Sequence, residues 1–317
     1  MIDARDDLAT SRATRVVQLA RDAGFDDVGI ADARAPLPHK DALLASVDEG
    51  RHGPLAWLKD SMPVRADVRA FMPEAKSVVV VVKSYYAGDH DEHVDERALA
   101  EHPRVSRYAW GSDYHNGIRR KLRKLRKRVL QEIDPEARIS PFVDDKPVAE
   151  RAWAREAGLG FVGKSAMFIH RGFGTWTFLG GLVTSIELTP PLPPIRSDLC
   201  GTCTRCLEAC PTGAITAPFT VDAARCLTTW NVEEPLDPRA DAPALVGHGW
   251  AVGCDVCQEV CPWNRFEQRS DDPRFLPRPG HVVVDPRAPP DDLLGTPLAR
   301  PGSDGLARAA ARAARRR

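Results

Sequence analysis

Eight cysteines occur in the 317-residue chain, all between positions 200 and 261. Cys200, Cys203, Cys206 and Cys210, the last followed by Pro211, have the spacing C-x2-C-x2-C-x3-C-P. This is the bacterial ferredoxin run, in which three thiolates bind one four-iron cluster and the fourth reaches a second. The short spacings let the loop curl round a cubane so that successive sulfurs meet different irons, and the proline turns the chain away. Such a run requires a second cysteine group. Cys254, Cys257 and Cys261-Pro262 supply it, and Cys226 stands alone between the two. The crossover assigns Cys200, Cys203, Cys206 and Cys261 to one [4Fe-4S] cluster and Cys210, Cys226, Cys254 and Cys257 to the other. Zinc is the competing occupant, because C-x2-C pairs also build four-cysteine zinc sites. A zinc ribbon, however, has no use for a third closely spaced cysteine or for two C-P endings. Disulfides are disfavoured in a reducing cytosol.

The elements that must position these thiols show in the hydrophobic periodicity. Residues 8–23 read as a helix that stops at Gly24, followed by a strand over 28–31. The run SVVVVV at 77–82 is β-branched and apolar throughout, as in a strand buried on both faces. Ile118, Leu122, Leu125, Val129 and Ile133 recur at helical spacing and predict an amphipathic helix over 114–133. A strand over 138–143, a helix over 148–157 and strand structure over 175–188 follow. Prolines 190, 191, 193 and 194 then form a stiff break. The expected organisation is α+β: a mixed-sheet catalytic domain over 1–189, a ferredoxin-like two-cluster domain over 190–268, and a Pro/Arg-rich tail over 269–317. The last stretch, GLARAAARAARRR, reads as lacking a convincing apolar face.

Basic and acidic residues balance at 44 each, so only local clusters can point to a charged partner. One is RRKLRKLRKR at 119–128, with eight cations in ten positions; Arg308, Arg312, Arg315, Arg316 and Arg317 form another. No apolar run approaches the ~20 residues that span a bilayer, and the N-terminus has no apolar signal-like core. A soluble cytoplasmic protein is expected, with no membrane partner.

Four segments carry a resemblance to a known family: SRYAWGSDYH (106–115), PFVDDKPVAERAWAREAGLGFVGKS (141–165), CGTCTRCLEACPTGAI (200–215) and GCDVCQEVCPWN (253–264). With the first two upstream of the ferredoxin runs, the chain closely resembles epoxyqueuosine reductase over about residues 10–265. The resemblance implies a cobalamin-dependent oxidoreductase that converts epoxyqueuosine to queuosine at the tRNA wobble position, the last step of queuosine synthesis. It implies an N-terminal domain holding base-off cobalamin, fed with electrons through the two clusters. The family's proton donor falls on Asp144. A turn residue or helix N-cap is the ordinary role for such an aspartate. The family commonly has Ser-Ala where this chain has Asp145-Lys146, and GKN where it has Gly163-Lys164-Ser165.

For the cobalamin site the resemblance points to Arg65, Tyr108, Asp144, Lys164 and Ser165, with Thr228 and Trp250 approaching from the long segment between Cys226 and Cys254. Each has an ordinary alternative: a solvated charge for Arg65, core aromatics for Tyr108 and Trp250, a loop hydroxyl for Thr228. His115 is set aside as a cobalt ligand, since a lone histidine near a helix start is usually structural. Arg119, Arg120, Arg123, Lys124 and Lys127 are the candidate tRNA contacts, against the plain alternative of a solvated helix face. A monomer without the helical-repeat extension of longer relatives is expected, drawing on an unidentified low-potential electron donor. Two other functions compete: a corrinoid reductive dehalogenase acting on a small molecule, and a non-catalytic two-cluster electron carrier, which would need neither corrinoid nor Asp144.

Overall fold

The computed structural model describes residues 4–37, 40–195, 198–233 and 247–314. Ten helices and ten strands are named along them. The helices are α1 (Ala4–Asp22), α2 (Lys40–Asp48), α3 (Ala56–Arg65), α4 (Val68–Phe71), α5 (Glu96–Glu101), α6 (Tyr114–Glu132), α7 (Glu150–Glu156), α8 (Arg205–Ala209), α9 (Val256–Glu259) and α10 (Gly302–Ala313). The strands are β1 (Asp27–Asp32), β2 (Ser77–Ser84), β3 (Arg104–Val105), β4 (Ile139–Phe142), β5 (Gly160–Val162), β6 (Phe168–His170), β7 (Thr177–Thr184), β8 (Ile215–Ala217), β9 (Thr220–Val221) and β10 (Trp250–Val252).

A four-stranded sheet in the order β1-β2-β7-β4 lies at the centre, antiparallel throughout. Every residue of β2 is buried, and its valines alternate between two cores. Val79 and Val81 join Val16, Leu19, Ile118, Leu122 and Leu125 on the face covered by α1 and α6. Val78, Val80 and Val82 join Trp153, Ala154 and Ala157 under α7 on the other. This two-sided burial is why the sequence there is a continuous apolar run. Gly29 in β1 lets α7 come close: a Cβ there would stand 2.4 Å from the Ala157 carbonyl oxygen.

Parallel pairing enters at β3 with β10, which gives the molecule its mix of strand orientations. That pair belongs to a third core, in which Val105, Ala109 and Trp110 pack with Ala251, Val252, Val282, Val283, Val284, Leu298, Leu306 and Ala310. Here the structure differs from the expected tail. Gly305, Leu306, Ala310 and Ala313 form a buried stripe on α10, which packs on β10. The stripe is built of small side chains, whose worth lies in letting backbones approach rather than in apolar bulk, so it reads weakly in the sequence. Arg308 is exposed and Arg312 half-buried on the other side; Arg315, Arg316 and Arg317 lie outside the described residues.

Candidate active site and cluster-binding region

Strand β4 ends at Phe142, and two residues later Asp144 has a left-handed backbone, φ 52°. Its N–H donates to Glu150 Oε1 at 2.7 Å. Its Oδ2 accepts from the Tyr114 hydroxyl at 2.9 Å and lies 3.8 Å from His115 Nε2. Three elements therefore converge: the end of β4, the first turn of α6 and the first turn of α7. Asp113 caps α6, accepting from the His115 N–H at 2.9 Å and holding His115 Nδ1 at 2.8 Å. The Tyr114 ring stacks on Phe178, with centroids 4.1 Å apart.

The Asp144 side chain is 64% exposed, yet Tyr114, His115, Arg151, Glu150, Arg65 and Tyr108 are all close enough to share its electrostatic field. Asp144 is thus an accessible carboxyl in an open cleft between side chains of several elements. Burial pushes the Asp144 carboxyl up, but hydrogen bonds with His115 and Tyr114 outweigh it and hold the group below the ordinary range. At neutral pH these hydrogen bonds favour the carboxylate form of Asp144 and the protonated form of its partners. Burial would depress His115, but hydrogen bonds and charge from Asp113 and Asp144 raise it to about 9. Burial first, with the Asp144 charge adding to it, pushes Glu150 up to about 8, against the pull of the Asp144 N–H. Neighbouring Asp145 is engaged elsewhere: it accepts from the Val143 N–H at 3.0 Å and pairs with Arg119 at 3.2 Å. Glu150, Tyr114 and His115 were missed as site residues, although all three lie inside the quoted segments SRYAWGSDYH and VAERAWA.

The other candidate contacts separate. Arg65 donates to Ser61 Oγ at 2.9 Å and the Val148 carbonyl at 3.4 Å, with its guanidinium 5.3 Å from the Trp57 ring centre. Tyr108 stands edge-on to Tyr114 at 6.5 Å. Thr228 is half-buried. Lys164 and Ser165 line a cavity of about 230 Å³ with Cys200, Cys203, Cys206 and Cys261, which Cys257 also lines. The Lys164 ammonium donates to the carbonyls of Gly201 and Cys203, so it braces the first cysteine loop. Trp250 takes the place of a core aromatic. It is 6% exposed, edge-on to His90 at 5.6 Å, with the Arg104 guanidinium 5.9 Å from its ring.

The cysteine sulfurs fall into two neighbourhoods. Cys261 is acted on by the charges of Cys200, Cys203 and Cys206, whereas Cys254 and Cys257 are acted on by those of Cys210 and Cys226. Burial raises Cys254 to about 12. Cys210 goes the other way: burial pushes it up, but the N–H groups of Ile215, Thr212 and Ala214 bring it below the ordinary thiol value. Among the described residues no three His, Cys, Asp or Glu gather closely enough to hold a single metal ion. Ligands of a cubane stand further apart, because each binds a different iron. The second neighbourhood adjoins the cleft. Gly253, just before Cys254, has φ 64°, and a Cβ there would come within 2.5 Å of Ser106 Cβ and 3.2 Å of Tyr108 Cε1. Asn231 holds this glycine on both sides, exchanging hydrogen bonds of 3.0 Å with its N–H and its carbonyl.

On α6, Arg120, Arg123, Lys124 and Lys127 are exposed, and no ion pair engages them among the described residues. Arg119 is paired with Asp145. No helix among the described residues is long and apolar enough to cross a membrane.

Comparison with known proteins gives these sites a context. Residues 199–264 match the family of 4Fe-4S double cluster binding domains, and residues 65–145 match a family described as epoxyqueuosine reductase QueG. The chain is 42% identical over 234 residues to the epoxyqueuosine reductase of Synechocystis sp. (strain ATCC 27184 / PCC 6803 / Kazusa), covering 74% of this chain and 78% of that one. It is 40% identical over 270 residues to the enzyme of Synechococcus sp. (strain RCC307), covering 84% and 80%. Among solved structures, epoxyqueuosine reductase with a tRNA-Tyr epoxyqueuosine-modified stem loop superposes with TM-score 0.79 at 26% identity, covering 95% of this chain and 80% of that one. The Bacillus subtilis enzyme, with an aspartate-bearing catalytic loop swung out of its active site, superposes with TM-score 0.78 at 25% identity, again covering 95% and 80%. With this extent of similarity, the chain belongs to the epoxyqueuosine reductase family.

Proposed function

We propose that this protein reduces epoxyqueuosine to queuosine in tRNA, with Asp144 delivering the proton to the departing oxygen. The observation that carries this reading is the placement of Asp144: accessible, bonded by Tyr114 and near His115, with the loop that leads into Cys254 lying against Tyr108. Converting an epoxide to an alkene takes two electrons and two protons and releases water. An iron-sulfur cluster passes one electron at a time, so a pair of them suits a two-electron reduction. Cys200, Cys203, Cys206 and Cys261 would hold one cluster and Cys210, Cys226, Cys254 and Cys257 the other, in keeping with the two sulfur neighbourhoods.

The residues around Asp144 fit cobalamin in their chemistry, since Arg65, Tyr108, Tyr114 and His115 bring polar groups from separate elements to one accessible place. Arg65, Tyr108 and Thr228 would hold the cofactor, with Lys164 and Ser165 beside the first cysteine loop. When bound, cobalamin supplies a reduced metal centre nucleophilic enough to engage the epoxide. The chain's own residues do the rest. His115, protonated at neutral pH, supplies the proton that Asp144 passes on to the departing oxygen. Tyr114 fixes the direction of the Asp144 carboxyl.

The tRNA reading draws on the relative solved with a modified stem loop and on the exposed cations of α6. The modified base must leave its stack to reach the cleft. The deciding experiment is anaerobic reconstitution with iron, sulfide and cobalamin, followed by mass spectrometry of nucleosides from epoxyqueuosine-containing tRNA. The parent protein should form queuosine. Asp144→Asn should slow formation by roughly 10²–10⁴-fold, the usual worth of a positioned acid, with its cluster absorbance unchanged. Cobalamin failing to bind would defeat the reading and favour a plain electron carrier.

A further inference from the structure

We propose that Glu150 is the positioning residue of the proton donor: its side chain holds the backbone N–H of Asp144 and so fixes the left-handed turn that presents the Asp144 carboxyl to the cleft. Aspartate tolerates a left-handed backbone better than most L residues, but a single fixed left-handed turn still has to be held by its surroundings. At Asp144 the backbone restraint is the 2.7 Å hydrogen bond to Glu150 Oε1, while Tyr114 and His115 act on the side chain alone. Asp145 steadies the residue before, through the Val143 N–H. Glu150 is itself well placed to act as a fixed point. It opens α7, whose Trp153, Ala154 and Ala157 are buried against the central sheet.

Besides burial, the charged and titratable groups that act on Glu150 are Asp144 from the loop, Arg65 from α3, Arg151 from α7 itself and Tyr114 from α6. One carboxyl of the Glu150–Asp144 pair is thus kept mostly neutral at pH 7, the usual outcome for two close carboxyls. A neutral carboxyl still accepts from an N–H, so the hold on Asp144 survives protonation. Glutamine would accept in the same way.

This inference rests on the reading of Asp144 as the donor, and the two can fail separately. In the reconstituted holoenzyme, Glu150→Ala should lower kcat by about 10²-fold, the cost of displacing a reacting group by an ångström or so, with KM for an epoxyqueuosine stem loop unchanged. The Asp144 amide should lose its protection in hydrogen exchange. Glu150→Gln should keep both the kcat measured at pH 7 and the protection, while removing any contribution of a group titrating near 8 to the pH profile. On an Asp144→Asn background, Glu150→Ala should slow the enzyme no further. Parental kcat in Glu150→Ala would overturn the proposal. So would a Glu150→Gln enzyme with full cluster absorbance but an unprotected Asp144 amide, and this variant decides the matter if the alanine protein fails to fold. Parental turnover in Asp144→Asn would instead refute the donor itself, leaving amide exchange to judge the hold.

Discussion

His115 stands between two carboxylates, 2.8 Å from Asp113 and 3.8 Å from Asp144, and this placement decides how the site answers pH. With its pKa raised to about 9, the imidazole is charged at neutral pH. Its raised value stabilises the folded protein fully below the ordinary histidine pKa of about 6.5, and that contribution is lost as pH rises through about 9. The activity should fall over the same upper range, since the proton that replenishes Asp144 is then gone. His115→Gln should lower kcat at pH 7 by about 10-fold or more and remove the limb near pH 9. A variant that retained that limb in a kcat–pH profile would assign it to another group. Little of this was legible in the residues taken singly. Asp144 was found through the resemblance, because an aspartate after a strand is otherwise an ordinary turn residue. His115 and Glu150 matter only because α6 and α7 start beside that turn, and no local pattern encodes such a meeting.

Helix α6 is legible on one face and ambiguous on the other. Its buried stripe of Ile118, Leu122, Leu125 and Val129 follows the helical period of the sequence. Its cations do not announce their employment: Lys121 reaches the Gly24 carbonyl at 2.7 Å, Arg126 the Ile139 carbonyl at 3.1 Å, and Arg128 pairs with Asp22 and Glu132. These three serve the fold, whereas Arg120, Arg123, Lys124 and Lys127 are exposed and are the candidates for phosphate contact. Reversing Arg123, Lys124 and Lys127 to glutamate should weaken stem-loop binding and cut its log–log salt slope by roughly 2–3, near 0.7–0.9 for each lost phosphate contact. Cluster absorbance should not change. A titration at several salt concentrations tests this, and unchanged affinity would return α6 to the status of a solvated face. Helix α10 shows the converse. Its sequence reads as lacking a convincing apolar face, yet Leu306 and Ala310 are fully buried, because contact with β10 accommodates a narrow stripe of mostly small residues.

At the scale of the whole molecule, the cluster region is joined to the catalytic core by far more than a proline-rich link. The cysteine spacing disclosed its chemistry but not this union, which depends on pairings between residues distant in sequence, such as β3 with β10. Arg107 is the hub. Its guanidinium, 4% exposed, reaches Asp89 at 2.8 Å, Asp255 at 3.1 Å and Glu259 at 2.8 Å, and lies 4.7 Å from the Trp176 ring centre. Asp255, between Cys254 and Val256, is wholly buried and also accepts from Ser106 Oγ and from the Arg107 N–H at 2.8 Å. One cation therefore fixes the loop that carries Cys254 and Cys257 against the residues leading to Tyr108. Removing one partner of a buried pair leaves the other charge uncompensated, a cost of about 3–5 kcal/mol. Arg107→Met should lower anaerobic unfolding stability by that order and release iron from the Cys254 and Cys257 side first. Adding Asp255→Asn should recover part of the loss, since the stranded charge is then gone. An Arg107→Met protein with the parental denaturant midpoint and full cluster absorbance would show that the buried strands of the third core, and not this ion pair, hold the cluster loop in place.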